Sequence, residues 1–416
     1  MSEAVILVLN CGSSSIKFAL FPAGTRPLPR APIWGGKVQG IGGPAPAFSA
    51  TGGAAEPVAL DAEHPTTAAL DLILARVAQW LGDREVAAVV HRVVHGGAGY
   101  LAPARVSQAV IDDLCRLIPL VPLHQPFALK AMSILMEVRP SLPQFACFDT
   151  TFHRTLPMVE QVLPLAWSQW QRGLRRYGFH GLSYEYMAHA LPERHGALAD
   201  GRVVVAHLGS GASLCAMRDR RSVATTMGFS ALDGLMMGTR CGALDPGAVL
   251  YLMEVEHLSL AEVGQLLYRD SGLLGVSGLS DEPRVLVRHE GDAGEAGERA
   301  RLALALYVRR IVAETGALMT ALGGLDMLVF TAGVGENCAF VRKRVCEGLG
   351  FLGIALDDAA NEGHAPVISA PGSPIRVAVE ATNEEWIAAR HAQDLLGQGR
   401  AAAPARVSQA PPGHQP

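Results

Sequence analysis

The stretch VILVLNCGSSSIKFALF (residues 5–21) decides how the chain is read. Two apolar, β-branched runs flank a turn holding an amide, Asn10, a glycine, Gly12, three serines and then a cation, Lys17. Glycine lets a backbone approach a ligand closely, and successive N–H groups in such a turn form a concavity that binds anions. Serine hydroxyls add donors and Lys17 adds a point charge, so the turn suits a polyphosphate. Asn10 offers an oxygen to a hydrated Mg²⁺, an ion that prefers oxygen ligands and keeps several waters. Taken alone, the same residues fit a structural hairpin closed by small side chains equally well.

Two further turns of this kind follow strand-like runs: His207-Leu-Gly-Ser-Gly-Ala-Ser213 and Thr331-Ala-Gly-Val-Gly-Glu-Asn337. VLNCGSSSIKFALF and VVVAHLGSGASLCAM share one layout of apolar strand, Gly/Ser turn and second apolar strand, which suggests two similar domains facing one another. GxxxxGK[ST] is absent, and the one GxGxxG match (348–353) follows a helical basic stretch, not the strand that a dinucleotide site requires.

The bulk numbers fit a large α/β protein. The chain has 416 residues, 49% of them hydrophobic and 18% charged, which predicts roughly two to three domains with a sizeable core. A formal net charge of -4 gives no field for general nucleic-acid or membrane-surface binding. The short cluster from Arg172 to Arg176 reads as solvated surface. Seven cysteines, odd in number and without a CxxC pair, read as buried or half-buried free thiols in a reducing compartment. The start lacks a basic n-region, and no apolar run reaches the ~18 residues that span a bilayer. A cytoplasmic, soluble protein is expected.

Strands are expected over 4–10, 87–94, 202–208 and 326–333, and helices over 66–81, 298–322 and 384–396. The Gly-, Pro- and Ala-rich region from Pro22 to Pro65 reads as an irregular strand-and-loop excursion. The segment 397–416 has too little apolar surface to offset its ordering entropy and reads as a disordered tail.

Taken together, LNCGSSSIKF (9–18), HRVVHGG (91–97), FDTTFH (148–153), RRYGFHGLSYEY (175–186), AHLGSGASLCA (206–216), MGFSALDGLMMGTRCGALDPG (227–247), TAGVGEN (331–337) and ATNEEW (381–386) resemble the acetate and propionate kinase family. That family is related to the sugar kinases, the chaperone ATPase domains and actin. The resemblance implies an α/β fold of two similar ribonuclease-H-like, actin-like ATPase domains facing a central cleft. One would span 1–150 and be completed by helix 384–396; the other, with the nucleotide site, would span 151–383. It implies reversible phosphoryl transfer from ATP to acetate, a homodimer, and Mg²⁺, with Mn²⁺ as a substitute.

The resemblance also assigns residues. Arg92 and Arg240 correspond to the arginines that hold the carboxylate and the transferring phosphoryl; a planar fork suits planar anions. His180 corresponds to a transition-state donor, although a lone histidine after an aromatic is more often a core residue. Asp149 corresponds to a catalytic aspartate described as a base. Acetate is already ionised at neutral pH, so Asp149 can instead orient Arg92 or a Mg²⁺-bound water. Asn10 and Glu384 correspond to magnesium ligands, and Glu384 also sits in a helix-start pattern. Lys17, the loop of His207, Leu208, Gly209, Ser210 and Gly211, the segment Glu282, Pro283 and Arg284, and the turn Gly333, Val334, Gly335, Glu336 and Asn337 correspond to ATP contacts. Val94, Leu123 and Phe179 correspond to the pocket around the acetate methyl. His91 and His95 lie on a strand-like run without the HExxH glutamate and are not read as zinc ligands.

The chain departs from the family pattern at four places. Ser210 replaces an asparagine, Ala231 a proline and Ala243 an aspartate, and Glu282 stands where Asp is usual. If Ala231 faces the acyl pocket, that pocket is larger and propionate becomes the alternative acceptor. From a different class, an ATP-gated binding module of the actin or chaperone kind would share the phosphate turns but would not need Arg92, His180 and Arg240.

Overall fold

The computed structural model describes residues 4–122 and 124–397; Leu123 and the tail segment 398–416 lie outside the described residues. Gly397, placed above in the tail, is the last residue of the helix Glu384–Gly397. The chain divides into two compact units. One runs to Thr151 and takes in the chain again from Asn383; the other is Phe152–Thr382.

The first unit holds β1 (Val5–Cys11), β2 (Ser15–Pro22), β3 (Trp34–Gln39), β4 (Ala47–Ala50), β5 (Glu56–Pro57), β6 (Val86–Val93), β7 (Ala104–Arg105) and β8 (Gln144–Phe148). They form one sheet in the order β5-β4-β3-β2-β1-β6-β8-β7. The second unit holds β9 (Val203–Leu208), β10 (Ala212–Arg218), β11 (Arg221–Thr225), β12 (Met327–Thr331) and β13 (Arg376–Val379), in the order β11-β10-β9-β12-β13.

The run β3-β2-β1-β6-β8 matches β11-β10-β9-β12-β13 strand for strand. In both, the first two pairings are antiparallel and the last two parallel. The repeated hairpin seen in the sequence is therefore the first hairpin of a repeated sheet, β1–β2 in one unit and β9–β10 in the other. This is the mixed α/β, actin-like class that the resemblance implied.

Burial explains why the central strands read as near-continuous apolar runs. Every residue of β1 except Asn10 is buried, as expected of a strand covered on both faces. Val5, Leu7 and Leu9 pack in one core with Leu70, Ile73 and Val77 of the helix Pro65–Leu81 and Leu135 of the helix Gln125–Val138. By alternation Ile6 and Val8 face the other side, where the helix Glu384–Gly397 packs on β1 and β6. In the second unit the helix Glu295–Leu322 buries Ala303, Leu304, Tyr307, Ile311 and Leu318 at spacings of one, three, four and seven, and Gly323 ends it in the left-handed region.

The region from Pro22 to Pro65 is more regular than its composition suggests, since β3, β4 and β5 extend the first sheet outward. Its glycines hid the strands: Gly35 and Gly36 lie within β3 because β4 and β2 approach there too closely for side chains. Two other expectations need correction. Cys115 is exposed, while the remaining six cysteines are buried or half-buried as read. Arg176 is not solvated surface: it donates to the carbonyls of Glu160, Thr225 and Thr226. Among the described residues no helix is long and apolar enough to cross a membrane.

A Cβ at Gly36 would lie 2.2 Å from the Ser49 carbonyl oxygen. Gly36→Ala is expected to destabilise the first unit by about 2 kcal/mol or more through forced strand separation, read as a lower urea midpoint. An unchanged midpoint would show that the β3–β4 spacing is soft.

Candidate active site

In the first unit the parallel strands β1, β6 and β8 end side by side and place Asn10, Arg92 and Asp149 at or just past their C-terminal ends. In open α/β sheets this is where ligands bind. Arg92 Nε and Nη2 donate to Asp149 Oδ1 and Oδ2 at 3.0 and 2.7 Å, a two-point fork. Arg92 Nη1 pairs with Glu384 Oε2 at 3.1 Å. Of the five guanidinium donors, three are used and one on each terminal nitrogen remains for an anion.

The electrostatics of this trio are unbalanced. Burial works against charge on Arg92, but Asp149 and then Glu384 outweigh it, so the guanidinium is held more firmly protonated than usual. Burial raises the Glu384 carboxyl above the ordinary carboxylate range, against Arg92 and with Asp149 adding to the rise. Glu384 opens its helix, where the backbone dipole favours negative charge, and Asn383 caps that helix by accepting from Trp386 N at 3.0 Å. Lys17 pairs across the hairpin with Asn10 and is close enough to Glu384 to act on its charge. A concavity of about 520 Å³, lined in part by Lys17, Lys37, Asn383 and Glu385, opens on this unit.

In the second unit the tight β9–β10 turn is the centre. A Cβ on Gly211 would lie 3.2 Å from Arg240 Nη2 and 3.3 Å from His180 Nε2, so the missing side chain is what lets these two donors reach the turn. Arg240 Nη1 donates to the Ala231 carbonyl at 2.6 Å. No carboxylate pairs with Arg240 among the described residues, and burial lowers its pKa. His180 takes the left-handed conformation (φ 59°) immediately before the helix Gly181–His195. Its ring stacks on His207 with centroids 4.1 Å apart and planes at 15°. His180 Nδ1 meets Ser213 Oγ at 2.8 Å, and His207 Nδ1 meets Ser183 Oγ at 2.9 Å.

His153 sets the loop that carries His180. Burial holds it neutral, with a pKa of about 4. Its Nε2 then donates to the Phe179 carbonyl at 2.9 Å, while Nδ1 accepts from Ser222 Oγ at 2.8 Å. Gly178, at φ 74°, lets the chain pass: a Cβ there would lie 2.5 Å from the His153 ring.

The Thr331–Asn337 segment is a short helix, Ala332–Asn337, with Thr331 before it, and not a hairpin turn. Glu336 is turned inward, accepting from Ala332 N at 2.8 Å and Thr382 N at 3.1 Å, so its carboxylate braces the backbone. Arg342, fully buried, donates to the carbonyls of Gly335 (2.9 Å) and Glu336 (2.8 Å) at the end of this helix and to Asn361. Sequence reading missed both His153 and Arg342, because each acts through partners far along the chain.

The other expected nucleotide residues are spread around these elements. Glu282 and Arg284 pair with each other at 3.0 Å at the start of the helix Pro283–His289, and Arg284 acts electrostatically on Cys338 next to Asn337. Leu208 is fully buried and can offer only its backbone, whereas Ser210 is exposed at the turn. Of the expected acyl-pocket residues, Val94 is half-buried just after β6, Phe179 is 1% exposed, and Leu123 lies outside the described residues. His91 is buried with Nε2 2.8 Å from Gln144 Oε1, and among the described residues no cluster of three His, Cys, Asp or Glu side chains could hold a metal.

Two sheets of one topology, each presenting a glycine turn and cationic donors at its strand ends, define the actin-like class of ATP-dependent phosphotransferases. The chain belongs to the acetokinase family, whose model matches residues 5–390. A protein named acetate kinase from Rhodopseudomonas palustris is 48% identical over 403 residues, covering 95% of this chain and 99% of its own. An acetate kinase from Methylocella silvestris is 47% identical over 411 residues, covering 97% and 100%. Among solved structures, the Porphyromonas gingivalis acetate kinase superposes with a TM-score of 0.82 at 36% identity, covering 94% of this chain and 100% of that one. A propionate kinase from Francisella tularensis gives 0.83 at 32% identity, covering 93% and 98%.

Arg342→Met is expected to destabilise the protein by about 3–5 kcal/mol, because the carbonyls of Gly335, Glu336 and Asn361 lose a charged donor. Urea unfolding checks this; a loss below about 1 kcal/mol would mean that water substitutes for the guanidinium.

Proposed function

We infer that the chain catalyses reversible transfer of the γ-phosphoryl group of ATP to acetate, giving acetyl phosphate and ADP. The observation that carries this reading is Arg240, a charged guanidinium with no acidic partner among the described residues, sharing the Gly211 turn with His180 Nε2. Two donors converging on a backbone turn are suited to a phosphoryl group whose charge spreads over its equatorial oxygens.

In this reading Arg240 and His180 hold the transferring phosphoryl. Arg92 offers its two remaining N–H donors to the second anion, with Val94, Leu123 and Phe179 around the acyl group. Asp149 orients Arg92, as the two-point fork between them supports. Acetate needs no general base, since its carboxyl is ionised at neutral pH. Lys17, the backbone from His207 to Gly211, Glu282 to Arg284, and Gly333 to Asn337 contact ATP, Glu336 by its backbone only.

Asn10 and Glu384 would hold Mg²⁺ or Mn²⁺. The fit rests on hard oxygen donors and on the charge of the trio, one guanidinium against two carboxylates, which leaves room for a cation. When bound, the ion would neutralise phosphate charge. A cytoplasmic location is the reading that the need for ATP supports.

Homodimerisation is supported by an apolar face on the helices Pro246–Glu254 and Leu260–Arg269, where Leu250, Tyr251 and Leu260 are 64%, 53% and 77% exposed. Sedimentation velocity is expected to show twice the chain mass, and the Tyr251→Asp, Leu260→Asp double variant to sediment as a monomer. A monomeric wild type would remove this part of the reading.

A hydroxamate assay with ATP, Mg²⁺ and acetate tests the activity. Acyl phosphate is expected, with kcat/KM for acetate above that for propionate, and Arg240→Ala should lower kcat by about a thousandfold. No acyl phosphate would favour a binding module; a tenfold preference for propionate would make that the acceptor.

A further inference from the structure

We propose that Tyr184 and Ser213 form a hydroxyl relay that fixes the tautomer of His180, so that its ring meets the phosphoryl group as a neutral Nε2–H donor. The inference rests on the role given to His180 above and concerns how that role is set.

The geometry is compact. Tyr184 and Ser213 are both 0% exposed, with their oxygens 2.5 Å apart. Ser213 Oγ is also 2.8 Å from His180 Nδ1. Tyr184 sits one helical turn after His180, its N–H bonded to the His180 carbonyl, so the helix start presents ring and phenol to the same point. Ser213 comes from the opposite element, pairing with His207 across the β9–β10 hairpin. The bracing is reciprocal: hairpin Ser213 holds helix-start His180, and helix Ser183 holds hairpin His207.

One proton decides the arrangement. Serine has a single hydroxyl hydrogen. A phenol is a far stronger acid than an aliphatic alcohol, and its oxygen is the weaker acceptor, so Tyr184 donates to Ser213. In the relay we propose, the serine proton goes to His180 Nδ1, the unprotonated acceptor 2.8 Å away. The ring hydrogen consequently sits on Nε2, the atom 3.3 Å from where a Gly211 Cβ would be. The reverse order would point a bare Nε2 lone pair at an anion. Two neighbours favour a neutral donor: His207 stacked at 4.1 Å, and Arg240 Nη2 on the same turn, whose charge opposes a second cation there. Tyr184 and Ser213 are thus positioning residues, which act on the phosphoryl group through the His180 ring.

Three measurements on the full chain test this. The ¹⁵N spectrum of histidine-labelled wild type should show His180 with Nδ1 bare and Nε2 protonated; an Nδ1–H tautomer overturns the relay and needs no variant. Tyr184→Phe should lower kcat about tenfold with KM for ATP and acetate within about twofold, and Ser213→Ala should do the same. Placed in a His180→Ala background, Tyr184→Phe should cost nothing further. Near-normal kcat in Tyr184→Phe alongside a collapsed His180→Ala overturns the relay alone. Near-normal turnover in His180→Ala overturns the reading of His180 itself.

Discussion

A buried guanidinium must find negative charge or many oxygens, and this chain meets that demand in three ways. Arg92 finds two carboxylates, Asp149 and Glu384. Arg342 finds the carbonyls of Gly335, Glu336 and Asn361. Among the described residues Arg240 has the Ala231 carbonyl and the open turn at Gly211, and no carboxylate partner. Taking a charge out of water without full compensation is costly, so an under-compensated arginine is where an anionic ligand gains most. The same residue type therefore stands in three settings, paired, carbonyl-bound and under-compensated, and the difference lies in its partners.

The repeated sheet explains where these sites fall. Matching strands end in matching places, but the copies have diverged in what stands there. At the end of β6 stands Arg92, with Asp149 just past β8 and Glu384 at a helix start as its carboxylates; after the matching β12 comes a glycine-rich helix start with Glu336 folded inward. One hairpin keeps Asn10 and Lys17 opposite each other, whereas the other keeps His207 opposite Ser213. A scaffold built once and used twice supplies rigid strand ends, and side-chain chemistry alone separates the two roles.

This pattern also accounts for what was legible in the sequence. The central strands and long helices could be read because burial on both faces leaves runs such as VILVL, and a helix covered on one face leaves a 3.6-residue period. Asn10, Arg92, Asp149, His180 and Arg240 stood out as candidates because they stand in compact motifs. The strand β3 could not, since its glycines answer to β4 across the sheet and not to any local preference. The inward turn of Glu336, the burial of Arg176 and the exposure of Cys115 were equally hidden: each depends on neighbours remote in sequence. The partners of His180 form the clearest case, since Ser213 lies 33 residues along the chain and nothing at position 213 alone marks it.

The chemistry follows from the same electrostatics. A carboxylate nucleophile arrives already ionised, so the barrier lies in bringing two anions together and not in removing a proton. A base with a pKa near neutrality has no task in such a reaction, and Asp149, locked into Arg92 by two hydrogen bonds, is poorly placed to be one. Donors fixed before the substrates arrive are what lower the barrier, because water cannot be reorganised around a charge that the protein has already faced. On that ground the holding of each donor matters as much as its identity: His153 fixing the Phe179 carbonyl and Ser213 fixing a ring nitrogen decide whether His180 Nε2 points at the turn.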